Sequence, residues 1–243
     1  MEEKSETNKK KKAAVCLSGG IKNGEKCIGS IERLSKYFDV KVFAHVWKID
    51  DLEDFLKNSW SGIEKHHDSP EIDVDLKDIL SSLPIESLKL ENFNSKKETF
   101  LKLYESHNFI KTDAKIISPL SMFYSMYQSN SLLFDHCNQT KENFDCVIRM
   151  RYDSDVKNVE KLEKEDYLTP CIYIPKGSDW NGINDQFAYG NFKSMNAYNS
   201  LFINLNHMRG THYYPEALLR HYLKLLNIPV KRTDLIVKIN GRQ

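Results

Sequence analysis

Residues 145–155 read DCVIRMRYDSD, and this stretch decides the fold. Its first half is apolar, as in the buried central strand of a sheet. Its second half carries Arg149 and Arg151 at alternate positions and then Asp153 and Asp155. Open α/β sheets bind their ligands where strands end at the carboxyl edge. The stretch therefore predicts a central strand that delivers charged side chains to such an edge.

The chain before this strand predicts a βαβ unit. Residues 13–18 (AAVCLS) form a short apolar strand, residues 27–37 carry apolar side chains at helical spacing, and residues 40–46 (VKVFAHV) form a second strand. A βαβ opening favours a mostly parallel sheet with helices on its faces. We expect a single α/β domain over residues 13–243, preceded by a disordered, Lys-rich tail at residues 1–12.

Periodicity predicts further elements along the chain. The predicted strands are 85–93, 167–174 and a closing pair at 230 and 235–239. The predicted helices are 50–58, 96–105, 119–137, 184–204 and 215–226.

Composition excludes several broad classes of function. Thirty-five Lys and Arg residues against thirty-four Asp and Glu residues give a net charge of +1, which argues against nucleic acid as a partner. Five scattered cysteines without a C-x-x-C pair argue against a disulfide framework or a zinc site. The N-terminus has no signal-peptide core, and no run approaches the roughly 18 apolar residues of a transmembrane helix. We expect a cytoplasmic protein without a transmembrane segment.

Asp153 and Asp155 predict a site for a hard divalent cation, Mn²⁺ or Mg²⁺, which would neutralise a diphosphate. A bare Asp-x-Asp is a weak pattern, and Asp73-Val74-Asp75 is read as an acidic turn because no strong strand precedes it. Arg149 and Arg151 should share one face of their strand. Either they contact phosphate or they form structural ion pairs.

The first strand ends in Leu17-Ser18-Gly19-Gly20, a bend in which glycines let the backbone approach a nucleotide. Lys22 is placed to neutralise phosphate. A tight turn without ligand is the alternative. Adenylating enzymes also open with Ser-Gly-Gly, but theirs continues x-Asp-Ser, whereas residues 21–23 here are Ile-Lys-Asn.

Residues 180–190 (WNGINDQFAYG) combine the groups that a sugar site needs. Trp180 can stack on a sugar ring, while Asn184 and Gln186 can bond its hydroxyl groups. Asp185 is a candidate general base for an acceptor hydroxyl, and capping of the following helix is the alternative for Asn184 or Asp185. Glu216 is a second catalytic candidate, although its place at the start of a helix also suits the helix dipole.

With these residues in hand, the chain resembles the nucleotide-sugar glycosyltransferases of the GT-A fold. It is most similar to the WavE-type lipopolysaccharide-synthesis proteins and related bacterial and viral glycan enzymes. The segments that carry the likeness, in order, are VCLSGG, FAHVW, SMFYSMYQSNSLL, VIRMRYDSDV, NDQFAYGNFKSMNAYNSLF and YYPEALLRHYL.

The resemblance implies a Rossmann-like domain that moves a sugar from a UDP- or GDP-sugar to a glycan or lipid-linked glycan in bacterial or virus-infected cytosol. It matches Asp153 and Asp155 to metal ligands, Asp185 and Gln186 to an acidic segment near donor and acceptor, and Glu216 to a recurrent Pro-Glu. The relatives place an arginine shortly after the glycine bend, where this chain has Lys22. A sugar nucleotidyltransferase, an adenylating enzyme and a non-catalytic sugar- or nucleotide-binding protein are the alternatives.

Overall fold

The computed structural model describes residues 10–21, 24–48, 76–112 and 115–239. The helix predicted at 50–58, the Asp73-Val74-Asp75 turn and Lys22 lie outside these residues, as does most of the predicted tail. The described strands are β1 Lys11–Gly19, β2 Phe38–Lys48, β3 Ile85–Asn92, β4 Cys146–Met150, β5 Ser154–Lys157, β6 Ile172–Pro175, β7 Ala188–Gly190, β8 Val230–Thr233 and β9 Ile236–Ile239. The described α-helices are α1 Glu25–Ser35, α2 Leu76–Ser81, α3 Asn94–Ser106, α4 Ile117–Thr140, α5 Glu160–Glu163, α6 Phe192–Asn199 and α7 Pro215–Leu225, with a 3₁₀ helix at Leu201–Met208.

Seven of these strands form one sheet in the order β3-β2-β1-β4-β7-β6-β8. The pairs β1–β2, β1–β4, β2–β3 and β6–β8 are parallel, whereas β7 runs antiparallel to both of its neighbours. The predicted α/β class with a mostly parallel central sheet is therefore confirmed. No helix in the described part of the chain is long and apolar enough to cross a membrane.

Successive strand residues point to opposite sides of the sheet. Helices cover both sides, so the protein has two buried clusters, one on each face. Ala13 and Val15 of β1 pack with Ile31 of α1 in one buried cluster. Ala14 and Cys16 pack in the other cluster, together with the buried side chains of α4. The parallel strands end at the same edge, so the residues that follow β1, β2 and β4 meet there.

The predicted elements are largely confirmed, with several differences. The strand predicted at 167–174 begins only at Ile172, where β6 starts. β1 begins at Lys11, two residues before the expected boundary of the domain. The predicted helix 184–204 is wrong in its first part, where residues 188–190 form β7 between β4 and β6. Helix α6 starts only after this strand. Its N-cap is Asn191, whose side chain accepts a hydrogen bond from the Ser194 N–H at 2.9 Å.

The turn expected at residues 153–155 is replaced in part by a strand. Ser154–Lys157 forms β5, which pairs antiparallel with β9 in a separate two-stranded sheet. The prediction that residues 235–239 close the main sheet is therefore wrong, while β8 does join it beside β6. The main chain at Asp155 consequently belongs to a strand that leads away from the end of β4.

Candidate functional site

The register of β4 sets the candidate site. Arg149 lies opposite Cys16 of β1 and Ala188 of β7, two small residues that leave room for its long side chain. Leu17 pairs with Met150, so Arg151 follows beside Ser18 at the carboxyl edge. Alternation then places both arginines on the face that α4 covers, as the sequence predicts.

Arg149 is sealed inside the protein. Its side chain is 0% exposed, and its Nη1 donates a hydrogen bond to the carbonyl oxygen of Asp185. Burial lowers the pKa of Arg149, while Tyr198 and Asp185 act in the opposite direction. Within the described residues its Nε and Nη2 have no hydrogen-bond partner. Arg149 was predicted either to contact phosphate or to play a structural role; in the structure it is fully buried and bonds the backbone of Asp185.

Arg151 and Asp153 form a two-pronged ion pair at the end of β4. Arg151 Nε donates to Asp153 Oδ1 at 2.9 Å, and Nη2 donates to Oδ2 at 2.7 Å. The side chains of Arg151 and Asp153 are 33% and 16% exposed. Burial opposes the charge on Arg151, but Asp153 and Asp185 outweigh it and raise the pKa of Arg151. Arg151 is thus the arginine of the pair that solvent or a ligand can reach.

The segment before β7 is shaped by Asn184. Its backbone N–H donates to Asp179 Oδ1 at 2.9 Å, its Nδ2 donates to the Gly177 carbonyl at 2.9 Å, and its Oδ1 accepts from the Gln186 N–H at 2.8 Å. These bonds occupy the amide that was predicted to bind a sugar. Helix capping does not explain Asn184 or Asp185, because Asn191 caps α6.

The same segment rests on the start of α7. The Ile183 N–H donates to the Glu216 carbonyl at 3.0 Å, and a Cβ added at Gly182 would stand 2.1 Å from the Glu216 carbonyl group. Glu216 lies in the first turn of α7 and is 7% exposed. The two predicted catalytic carboxyl residues, Asp185 and Glu216, are therefore brought to neighbouring parts of one edge.

Trp180 stands out from the protein surface with 63% of its area exposed. Its φ of +40° and the φ of +59° at Asn181 lie in the left-handed region, which is strained for a bulky side chain. Strain of this kind collects at functional sites. An exposed indole in a constrained loop suits the predicted role of a stacking surface.

The glycine bend at the end of β1 has the predicted form. Gly19 has a φ of +123°, a conformation that L side chains rarely adopt. Leu17 is fully buried, so only its backbone can take part in binding. Ser18 is 2% exposed, and its hydroxyl has no partner within the described residues. Gly19 and Gly20 remain the part of the bend that a nucleotide can approach.

The residues at the end of β4 do not fit the predicted divalent-cation site. Both oxygens of Asp153 accept hydrogen bonds from Arg151, and Oδ1 of Asp155 forms an ion pair with Nη2 of Arg33 in α1. Lys157 also lies 3.8 Å from Asp155 Oδ2. In the ranges that the structure describes, no three His, Cys, Asp or Glu side chains gather as metal ligands.

A second polar cluster lies on the same face and escaped the sequence analysis. His45 of β2 lies level with Ser18, and its Nδ1 and Nε2 lie 2.8 Å from Ser125 Oγ and 3.0 Å from Glu91 Oε2. Tyr124 donates to the same carboxylate at 2.8 Å. Burial lowers the pKa of His45 to about 4. Because its partners come from β3 and α4, no local sequence pattern reveals this cluster.

The chain was compared with known proteins. No protein-family model and no curated protein matches it. Among solved structures it is similar to mouse xyloside xylosyltransferase 1, with 12% identity over 92% of this chain and 85% of that one and a TM-score of 0.46. The galactosyltransferase LgtC in complex with donor and acceptor sugar analogues aligns with 10% identity, 91% and 73% coverage and a TM-score of 0.45.

A putative glucose-1-phosphate thymidylyltransferase from Bacillus anthracis aligns with 9% identity, 96% and 90% coverage and a TM-score of 0.39. The first two of these structures are glycosyltransferases, the class that the sequence motifs resemble. All three TM-scores lie below 0.5, so the likeness carries no argument about the activity of this chain.

Proposed function

We propose that the chain is a glycosyltransferase that takes its sugar from a nucleotide diphosphate sugar, a UDP- or GDP-sugar, and gives it to a hydroxyl group of a glycan or lipid-linked glycan. The observation that carries this proposal is the meeting of Arg151 and Asp153 with the Asp185 segment at the carboxyl edge, next to the glycine bend of β1. This edge is where an open α/β sheet binds nucleotides.

Each part of the site suits one part of the donor. Gly19 and Gly20 present backbone to the nucleotide, and the Arg151 guanidinium matches the geometry and charge of a diphosphate. Trp180 offers a flat surface for a sugar ring. Gln186 follows Asp185 in the same segment and carries an amide, a group that bonds sugar hydroxyls.

The chemistry needs one leaving group and one base. The bond between the anomeric carbon and the diphosphate oxygen breaks, and its electron pair stays on that oxygen. The acceptor hydroxyl oxygen bonds to the anomeric carbon, and its proton passes to the carboxylate of Asp185. The products are the nucleoside diphosphate and the glycosylated acceptor. Glu216, anchored beside the same segment, is proposed to orient the acceptor.

A thermal-shift panel followed by a transfer assay tests the proposal. A ligand that binds the native state raises the melting temperature, so UDP, GDP and their sugars are compared with nucleoside triphosphates. We expect one diphosphate family to raise it and the matching sugar donor to be consumed. Asp185→Asn should keep the shift and lose transfer.

Two results would contradict the proposal. Stabilisation by a nucleoside triphosphate alone, with diphosphate released from triphosphate and sugar 1-phosphate, would indicate a nucleotidyltransferase. Binding of a nucleotide sugar without consumption of donor, by a preparation that melts normally, would indicate a non-catalytic binding protein.

A further inference from the structure

Two arginine–aspartate pairs lie after β4. Their carboxylates, Asp153 and Asp155, are the side chains from which a metal site was predicted. Arg151 holds Asp153 through both carboxylate oxygens, and Arg33 holds Asp155. Arg33 belongs to α1, and its Nε also donates to the Val156 carbonyl at 2.9 Å. Arg33 therefore holds both the side chain of Asp155 and the backbone of β5 against α1. The two carboxylates are thus each bound to a different arginine.

The sheet face beside this arrangement already carries two positive side chains. Arg149 and Arg151 lie on the same face, and both sense the charges of Asp153 and Asp185. Asp153 and Asp185 offset these two guanidinium charges. A dication could bind Asp153 only by displacing Arg151 from both carboxylate oxygens, whereas a diphosphate can bind the guanidinium group itself.

Buried polar groups without partners also lie beside this site. In the described part of the chain, Nε and Nη2 of Arg149, the hydroxyl of Ser18 and the hydroxyl of Tyr198 make no hydrogen bond, and all three side chains are at least 98% buried. Natural proteins rarely leave such groups unsatisfied unless a ligand or water completes them. Ser18 and Arg149 lie on the same sheet face at successive levels toward the carboxyl edge.

We propose that this site binds the donor diphosphate through arginine and without a divalent cation. The proposal rests on the proposed function and names the group that neutralises its leaving group. Arg151 exchanges its bonds to Asp153 for two oxygens of the diphosphate, and its fork then stabilises the electron pair that stays on the leaving oxygen. Arg149 adds a fixed positive charge from its buried position in β4, out of contact with solvent.

Binding of UDP and GDP to the full chain, measured by calorimetry in EDTA and again with Mn²⁺, tests this directly. We expect the dissociation constant of the preferred nucleotide to differ by less than about threefold between the two conditions, because guanidinium groups need no metal to bind phosphate. Sugar transfer should likewise persist in EDTA. Loss of binding in EDTA with recovery in Mn²⁺ would overturn the inference and leave the proposed function standing.

Matched variants localise the effect. Arg151→Ala should weaken nucleotide binding about 10- to 100-fold. The affinity of Arg151→Lys should lie between those of the unchanged protein and Arg151→Ala, because lysine keeps the charge but loses the two-pronged geometry. Arg33→Ala removes the neighbouring arginine–aspartate pair, whose exposure of 35% and 24% is close to that of the first pair, and should leave binding unchanged.

The failures of the two proposals are distinguishable. Equal weakening by Arg151→Ala and Arg33→Ala, with both variants folded by circular dichroism, would show that Arg151 has no special part in binding and would overturn the inference. Absence of nucleotide binding and of transfer in every condition would overturn the proposed function as well.

Discussion

Arg149 donates a hydrogen bond from Nη1 to the carbonyl oxygen of Asp185, which lies 36 residues later in the chain. The bond ties the carboxyl end of the central strand β4 to the backbone of the proposed base. Because the Arg149 side chain is fully buried, we expect it to act by fixing the position of Asp185.

The variant Arg149→Met separates this positioning role from stability. A misplaced catalytic group costs about 100-fold in rate, so kcat should fall by about that factor with little change in KM. The Asp185 carbonyl loses its donor, which costs about 1–3 kcal/mol, and removal of a buried charge offsets part of this cost, so the melting temperature should fall only slightly. Steady-state kinetics and calorimetry check the split. A parallel loss of kcat and thermal stability would instead show that Arg149 is merely structural.

Asp185→Asn should abolish transfer and keep nucleotide binding. The amide cannot accept the acceptor proton, and loss of general-base catalysis reduces rates by about 10²- to 10⁴-fold. Asp234→Asn, a change at an exposed residue paired with Lys176, is the control and should transfer sugar at the normal rate. Turnover by Asp185→Asn that equals the control would remove Asp185 from the mechanism.

Gly182→Ala should loosen the segment that carries Asp185. The added Cβ would meet the Glu216 backbone at 2.1 Å, and overpacking of this kind costs about 1–3 kcal/mol. Gly29→Ala makes the same change inside α1, where the nearest atom is 3.5 Å away, and should stabilise by about 0.5–1 kcal/mol. Denaturant unfolding of both variants gives the comparison. Equal stability of the two would contradict the contact with α7.

Acidification should destabilise the protein through His45. Its folded pKa is lowered to about 4 by burial, so the unfolded chain binds the proton first as pH falls below about 6.5. Stability is therefore lost from about pH 6.5 down to about pH 4, with a cost of about 2 kcal/mol at pH 5. Glu91, whose pKa is lowered by hydrogen bonds from Tyr124, His45 and Lys89 despite burial, adds to this loss at still lower pH.

Melting temperatures from pH 7 to pH 5 measure the effect. A loss of 2 kcal/mol corresponds to a fall of about 4–8 °C for a domain of this size. His45→Gln should melt lower at pH 7 but show a flatter dependence on pH. An equally steep dependence in the variant would assign the acid sensitivity to other groups.

Trp180→Ala should change recognition without changing stability. The indole is 63% exposed, so its removal takes little area out of the core. If it stacks on a sugar, KM for donor or acceptor should rise about 10-fold, in line with the free energy of an aromatic contact. Unchanged KM for both substrates would exclude this role.

The sequence predicted the strands that carry the site, because each strand is marked by a pattern in its own residues. Apolar runs mark β1, β2 and β4, and alternation alone places Arg149 and Arg151 on one face. The short strand β7 was missed because its three residues give no periodicity that separates a strand from a helix.

The partner of Asp155 could not be predicted. Arg33 lies 122 residues earlier in the chain, and only the packing of α1 on β5 brings the two together. Tyr198 was missed for a related reason. A buried tyrosine in an amphipathic helix looks like any core residue until the structure places it near enough to Arg149 for their charges to interact.

Gly190 closes β7 at a point where a Cβ would stand 2.4 Å from the Cys171 carbonyl oxygen. A larger residue would not fit there. The residues between β6 and β7 are held at both ends by the sheet, and Gly182 lets their middle pack on α7. Within this segment, Asp179 is bonded to the Asn184 N–H, whereas Trp180 and Asn181 are exposed. We therefore expect exchanges at these two exposed positions to alter the surface of the loop while the sheet beneath keeps its structure.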